Sequence, residues 1–158
     1  MPSKRLEGTP SVKDVGSHTI TFQLNDGLAV VNRSYSLVVD SNDPPEIVAN
    51  SQTTEEDVSL IDISFSVSDD QTNVNELNVY ARSTDESKLK TTDIIISGSG
   101  ANRTFSVTPL KNYVGISSFY IYAEDSGKKV GEKLVEITTT PVDDGPLFIN
   151  DKDFFFPI

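Results

Sequence analysis

The chain holds 158 residues, 36% of them hydrophobic, with a single histidine and no cysteine. Its 24 Asp and Glu against 13 Lys and Arg give a net charge of -11, which repels phosphate backbones and anionic lipid and attracts hard cations, so nucleic acid is excluded as a partner. Without thiols there is no disulfide framework, thiolate metal site or cysteine nucleophile, and no run approaches the roughly 18 apolar residues of a membrane span, so no membrane insertion is expected.

In chain order the sequence reads as strands, with no helix. Residues 16–39 form two alternating segments around a turn, a hairpin that carries Ile20, Phe22, Leu24, Tyr35, Leu37 and Val39 on one face. "VVDSNDPPEI" then sets Asp40, Ser41, Asn42 and Asp43 in a row before Pro44 and Pro45, which fix φ and keep the joint extended. Seven strands are expected beyond it: A near Glu46–Asn50, B near Leu60–Val67, C near Leu77–Arg82, D near Asp93–Ser97, E near Arg103–Val107, F near Ser117–Ala123 and G near Lys133–Thr139. In B the apolar phase is Ile61, Ile63, Phe65 and Val67; in C it is Leu77, Val79 and Ala81. Between the strands stand clusters of Gly, Asn, Asp and Ser that favour turns. Phe65, Val79, Phe105, Phe119 and Ile121 are the expected core.

"GTPSVKDVGSHTITFQLND" (8–26) aligns with "VTPLKNYVGISSFYIYAED" (107–125), matching Thr9 to Thr108, Pro10 to Pro109, Val15 to Val114, Gly16 to Gly115 and Asp26 to Asp125 at a constant spacing of 99 residues. Past the turn the spacing becomes 100, with Tyr35, Leu37 and Val39 on Val135, Ile137 and Thr139, and then 101, with Asn42 and Asp43 on Asp143 and Asp144. Such a period suits a seven-stranded Ig-like sandwich. Residues 1–43 then correspond to the last third of a repeat, residues 44–145 to a complete one and residues 146–158 to the first strand of a third. The strands that would cover the 16–39 hairpin fall upstream of it, and "DFFFPI" at the other end is equally bare, so the two ends are expected either to self-associate head to tail or to be mobile.

The segments "EGTPSVKDVGSHTITFQLNDG" and "SQTTEEDVSLIDISFSVSDD", with "IIISGSGANRTFSVTPLKNYVGISSFYIYAEDSG", resemble the tandem dystroglycan-type cadherin-like and Ig-like repeats of large bacterial surface and secreted proteins. The resemblance spans nearly the whole chain. It implies all-β Greek-key sandwiches of about 100 residues strung end to end, in adhesins, biofilm proteins and polysaccharide-active proteins. It also implies a secreted or cell-surface location and, often, calcium at the junctions.

With strand A leaving the first joint, the B–C, D–E and F–G loops return to it. Asp69 and Asp70 (B–C) and Asp125 (F–G) are then expected to face the joint that carries Asp40, Asn42 and Asp43, with Asp14 approaching from the preceding repeat. Carboxylate and amide oxygens suit Ca²⁺, which takes 6–8 oxygen ligands, better than Mg²⁺ or a soft metal. "DSND" followed by two prolines is similar to the Asp-x-Asn-Asp linker of cadherins, which carries calcium roles onto Asp40, Asn42 and Asp43. The adjacent Asp69 and Asp70 depart from the cadherin spacing, and "TPSVKDVG" lacks the Asp-Arg-Glu element. At the second joint, "TPVDDGP", the candidates are Asp143 and Asp144, with Glu55, Glu56 and Asp57 expected in the A–B loop beside them. The competing reading is that these are turn residues and negative surface, with the joints held by proline alone.

His18 has no Ser and Asp constellation around it in the sequence, so no enzymatic activity is expected. "GSGANRT" lies between two strands and reads as the D–E turn, and the sequons at Asn32 and Asn102 are short enough to arise by chance. Tyr80, Tyr120 and Tyr122 fall on the outward phase of C and F, where they would pair across strands or stack on sugar rings. Two functional classes follow: a structural and adhesion spacer whose partners are neighbouring repeats and a cell-surface ligand, or a carbohydrate-binding accessory module of a polysaccharide-active or adhesive protein.

Overall fold

A computed structural model of the chain describes residues 7–143, which divide into two compact units between Asp43 and Pro44. Asp144 and the strand expected over 146–158 lie outside the described residues.

The first unit is a hairpin. A 3-10 turn at Val12–Asp14 is closed by Asp14, whose Oδ2 accepts the Ser11 backbone N–H at 2.8 Å and the Ser11 hydroxyl at 2.9 Å. These bonds hold the Asp14 carboxyl below its ordinary pKa. Strands β1 (Gly16–Asn25) and β2 (Val30–Val39) pair antiparallel, from Gly16 opposite Val39 to Asn25 opposite Val30. Phe22 and Tyr35 meet edge to face, 5.7 Å between centroids.

The second unit is a closed sandwich. One sheet runs in the order β4 (Gln52–Glu55), β10 (Val130–Thr140), β9 (Gly115–Glu124), β6 (Asn78–Ser83). The other runs β3 (Glu46–Val48), β5 (Leu60–Ser68), β8 (Asn102–Val107), β7 (Ile94–Ser97). Strands A, B, C, D, E, F and G are thus β3, β5, β6, β7, β8, β9 and β10, divided between sheets as in an Ig-like Greek key. β9 alternates without a break, Ser117, Phe119, Ile121 and Ala123 pointing in, because its apolar residues recur at the two-residue period of the pleat. From the facing sheet come Phe65, Val67, Phe105 and Val107. Phe105 meets Phe119 edge to face at 5.4 Å and joins the two layers.

Four local features differ from the sequence pattern. β4 carries no apolar alternation; it forms because its backbone pairs in parallel with β10, Gln52 opposite Ile137 through Glu55 opposite Thr140, which puts Glu55 in a strand and not in the A–B loop. Ile61 is not on the inward face: the register of β5 against β8 shifts between Leu60 and Ile63, and Ile61 is left 63% exposed. A bulge residue consumes one step of the alternation, and Asp62, at φ 53° with its N–H on Ser106 Oγ (3.0 Å), occupies it because Asp tolerates the left-handed region. Val79 is only half-buried at the core margin. Leu89, in the C–D loop, is fully buried, a core position that no strand period marks.

Two polar devices hold loops to this core. Arg103 points inward from β8 and is buried, its Nη2 donating to Val74 O (2.8 Å) and Leu77 O (3.3 Å) and its Nε to Gly100 O (3.2 Å). The guanidinium ties the B–C and D–E loops to the core through these carbonyls, and desolvation lowers its pKa. In the C–D loop Asp85 Oδ1 accepts the Ser87 hydroxyl and N–H, and Glu86 accepts the Thr91 hydroxyl and N–H.

Phe119→Ala should cost roughly 3–5 kcal/mol by opening a cavity, whereas Ile61→Ala should stay within about 0.5 kcal/mol because its side chain lies outside; urea midpoints of the two variants test the strand phases together. Hydrogen bonds from Ser87 and Thr91 depress the folded-state pKa values of Asp85 and Glu86. A depressed carboxyl contributes stability above its unfolded pKa and loses it as pH falls through the folded one. The midpoint should therefore be flat above about pH 5 and decline below about pH 4, and Glu86→Gln should make the decline shallower.

Candidate functional site

The pairings Glu46 with Ser68, and Glu124 with both Asn78 and Val130, bring the start of β3 and the B–C and F–G loops to one pole of the sandwich. The pairings Leu60 with Val107, Gly115 with Thr139 and Glu55 with Thr140 define the opposite pole. The chain thus begins the sandwich at one pole and completes it at the other.

At the upstream pole the carboxylates first build turns. Asp69 Oδ1 accepts the N–H groups of Thr72 (2.6 Å) and Gln71 (3.0 Å). Asp125 is 3% exposed, and its Oδ1 accepts the Lys129 N–H at 2.8 Å while its own N–H donates to Lys129 O. The two loops are tied together by Thr72 Oγ1 and Ser126 Oγ at 3.0 Å, and by the Ser126 N–H on the same Thr72 oxygen at 3.3 Å. Sequence spacing brings Asp69 and Asp125 to this pole, but the hydroxyl bridge between them carried no signal in one dimension.

One oxygen at this pole is unusual. Asp69 Oδ2 is buried and has no hydrogen-bond partner, an expensive state for an ionised oxygen. Asp70 is exposed. Asp40 and Asp43 are exposed in the last residues of the first unit, where the Ser41 hydroxyl donates to Asp43 Oδ1 at 3.5 Å and Asn42 is half-buried. Among the described residues no three Asp, Glu or His side chains gather closely enough to hold a metal ion by themselves. The donor chemistry, hard oxygen with one orphaned carboxylate atom, fits Ca²⁺, and amide, carbonyl or water oxygens would have to complete the shell.

At the downstream pole Glu56 is buried, and its Oε1 accepts the Val142 N–H at 2.9 Å while its own N–H donates to Thr140 O at 2.8 Å. Asp57 Oδ1 accepts the Asn112 N–H at 2.9 Å. These carboxylates pin the outgoing strand and the E–F loop; Asp143 is exposed beyond them.

The outward face of the β6–β9 pair carries an aromatic ladder. Tyr80 and Tyr122 stack at 5.2 Å and 22°, Tyr120 lies 5.8 Å from Tyr122, and the Arg82 guanidinium sits over Tyr80 at 5.6 Å. Tyr80 and Tyr122 are directly opposite in register, so their ring faces cover one another across the strands. That geometry belongs to sheet stabilisation and offers no open ring platform between them. His18 is exposed on β1, with Nε2 2.6 Å from Asp14 O. Among the described residues no helix is long and apolar enough to cross a membrane.

No protein-family model matches the chain, and no curated protein does. Among solved structures it is similar to an endo-fucoidan hydrolase of glycoside hydrolase family 107, at 16% identity and TM-score 0.49 over 85% of this chain and 20% of that one. It is also similar to domains 4 and 5 of the S-layer protein SbsC, at 14% identity and TM-score 0.45 over 78% of this chain and 58% of that one. The human desmocollin-1 ectodomain matches at 11% identity and TM-score 0.43 over 75% and 23%. The chain therefore spans between a fifth and somewhat over half of those structures.

Asp69→Ala should destabilise the sandwich by roughly 1 kcal/mol through loss of the turn bonds. In calcium-free buffer Asp69→Asn should be neutral or stabilising, because the amide keeps the Oδ1 acceptor and removes a buried charge; paired denaturation curves separate the two effects.

Proposed function

We propose that the chain is a non-catalytic structural and adhesion segment of an exported surface or secreted protein, in which Ig-like sandwiches act as spacers in a linear array. The observation that carries this reading is the polarity of the sandwich: its first strand begins at one pole and its last ends at the other, so tension or reach passes through the module lengthwise. The parallel pairing of β4 with β10 suits that role. Load applied through the two poles acts along these strands and opposes all their bonds at once, whereas an antiparallel edge would unzip. The acidic, cysteine-free composition fits an exported repeat protein, and Pro44 and Pro45 stiffen the joint before the sandwich.

Calcium at the upstream pole extends the same reading. Its support is the buried, unpartnered Asp69 Oδ2, with Asp70 and Asp125 on the B–C and F–G loops of the same pole; at the opposite pole no carboxylate oxygen among the described residues is left buried without a partner, so a second site there has less support. A bound cation would offset the repulsion among these carboxylates and hold the two loops of that pole together.

Single-molecule extension through the chain ends should unfold residues 44–143 in one abrupt step; gradual extension at low force would reject a load-bearing role. Calcium should raise the thermal midpoint relative to chelator, and Asp69→Asn should abolish the difference. Identical melts with calcium and with chelator would remove the metal from the proposal and leave the spacer.

A further inference from the structure

The β1–β2 hairpin has the register of β9–β10, residue for residue. Gly16 opposes Val39 as Gly115 opposes Thr139, Ile20 opposes Tyr35 as Phe119 opposes Val135, and one extra residue in the β9–β10 turn absorbs the difference. The turns are closed by the same device: Asp26 Oδ1 accepts the Ala29 N–H at 2.7 Å, and Asp125 Oδ1 accepts the Lys129 N–H at 2.8 Å. Even the one cation in the inward phase recurs, Arg33 opposite Phe22 and Lys133 opposite Ile121.

What differs is the cover. Phe119, Ile121, Ala123, Val135 and Ile137 are 0% exposed beneath the facing sheet. Their counterparts Phe22, Leu24, Tyr35 and Leu37 are 48%, 76%, 60% and 47% exposed, and together with Ile20 and Val39 they form one continuous apolar face. A face of this extent on a two-stranded hairpin is not stable alone in water.

We infer that β1–β2 is the closing F–G hairpin of a second Ig-like sandwich, and that the occupant of its apolar face is the inward face of a sheet equivalent to β3–β5–β8–β7, borne on polypeptide N-terminal to the hairpin. The identity of register, phase and turn chemistry is the warrant, because in the second unit that same surface is covered by just such a sheet. The free edges of the hairpin complete the match: the equivalents of β4 and β6 would pair with β2 and β1. Over the turn end that cover would have to stand further off than in the second unit. There Gly131 lies so close to Pro45 that a Cβ would collide with the Pro45 carbonyl oxygen, and its counterpart is Val31. This inference is independent of the spacer role.

The test uses the full chain in two forms. In the first, residues 115–139 are replaced by a copy of residues 16–39, so that the existing sheet must cover the other hairpin. The expected result is a cooperative unfolding transition at a lowered midpoint, raised again when Leu24→Ala, Val31→Gly and Tyr35→Val relieve crowding in the transplanted copy. Absence of a cooperative transition in the size-matched form would overturn the inference. In the second form the chain is unaltered, and amide exchange is measured alongside sedimentation. β1–β2 should exchange at least about a hundredfold faster than β9–β10 in a monomer, as expected of an uncovered hairpin. Protection equal to that of β9–β10 would overturn it, whether in a monomer covered from within or in a dimer covered by a second copy.

Discussion

The contact between Phe105 and Phe119 is the constraint on which the sandwich depends. One ring comes from β8, the other from β9, so a single edge-to-face pair joins the two sheets at the centre of the core. Once both rings point inward, the pleat dictates the remainder. Arg103, Phe105 and Val107 share one inward phase and Ser117, Phe119, Ile121 and Ala123 the other, while Tyr120 and Tyr122 must face out. The tyrosine ladder is in this sense a consequence of the core, and so is the inward placement of Arg103, whose Nε and Nη2 donate to loop carbonyls.

The acidic character of the chain takes on a structural meaning at the loops. Asp14, Asp26, Asp69, Asp85, Glu86 and Asp125 each accept backbone N–H groups within their own turn or cap. Glu56 and Asp57 accept from residues distant in sequence and fasten the downstream pole. A carboxylate is well suited to this work, since a charged acceptor makes a stronger bond and satisfies donors that no strand reaches. Turn-making and cation binding draw on the same oxygens, and only where one is left over, as at Asp69 Oδ2, does the fold itself point beyond turn-making.

The two units show how far local sequence can go without a partner. Each encodes the same hairpin register and the same Asp-closed turn, and each does so from cross-strand pairing and turn chemistry alone. Burial is another matter, because it needs an opposing sheet. In the second unit that sheet is present and the apolar face disappears from solvent; in the first the same pattern stands open.

Much of the architecture was legible in one dimension. The period-2 alternation in β5, β8, β9 and β10, the proline joint and the spacing of 99 to 101 residues between equivalent positions determined an all-β, Ig-like sandwich and the order of its strands. These features are local or periodic, and the pleat converts them directly into faces. The sequence also brought Asp69, Asp70 and Asp125 to one pole, because strand direction alternates. Tertiary structure alone decided the rest. β4 has no apolar period and exists only because β10 lends it a parallel partner; the bulge at Asp62 reversed the face of Ile61; and Leu89 became core from within a loop. The same holds for the candidate site, where which carboxylate oxygen is spent on a turn and which is left buried depends on where distant N–H groups and hydroxyls arrive. Those are long-range distances, and a pattern of residue types along a chain does not contain them.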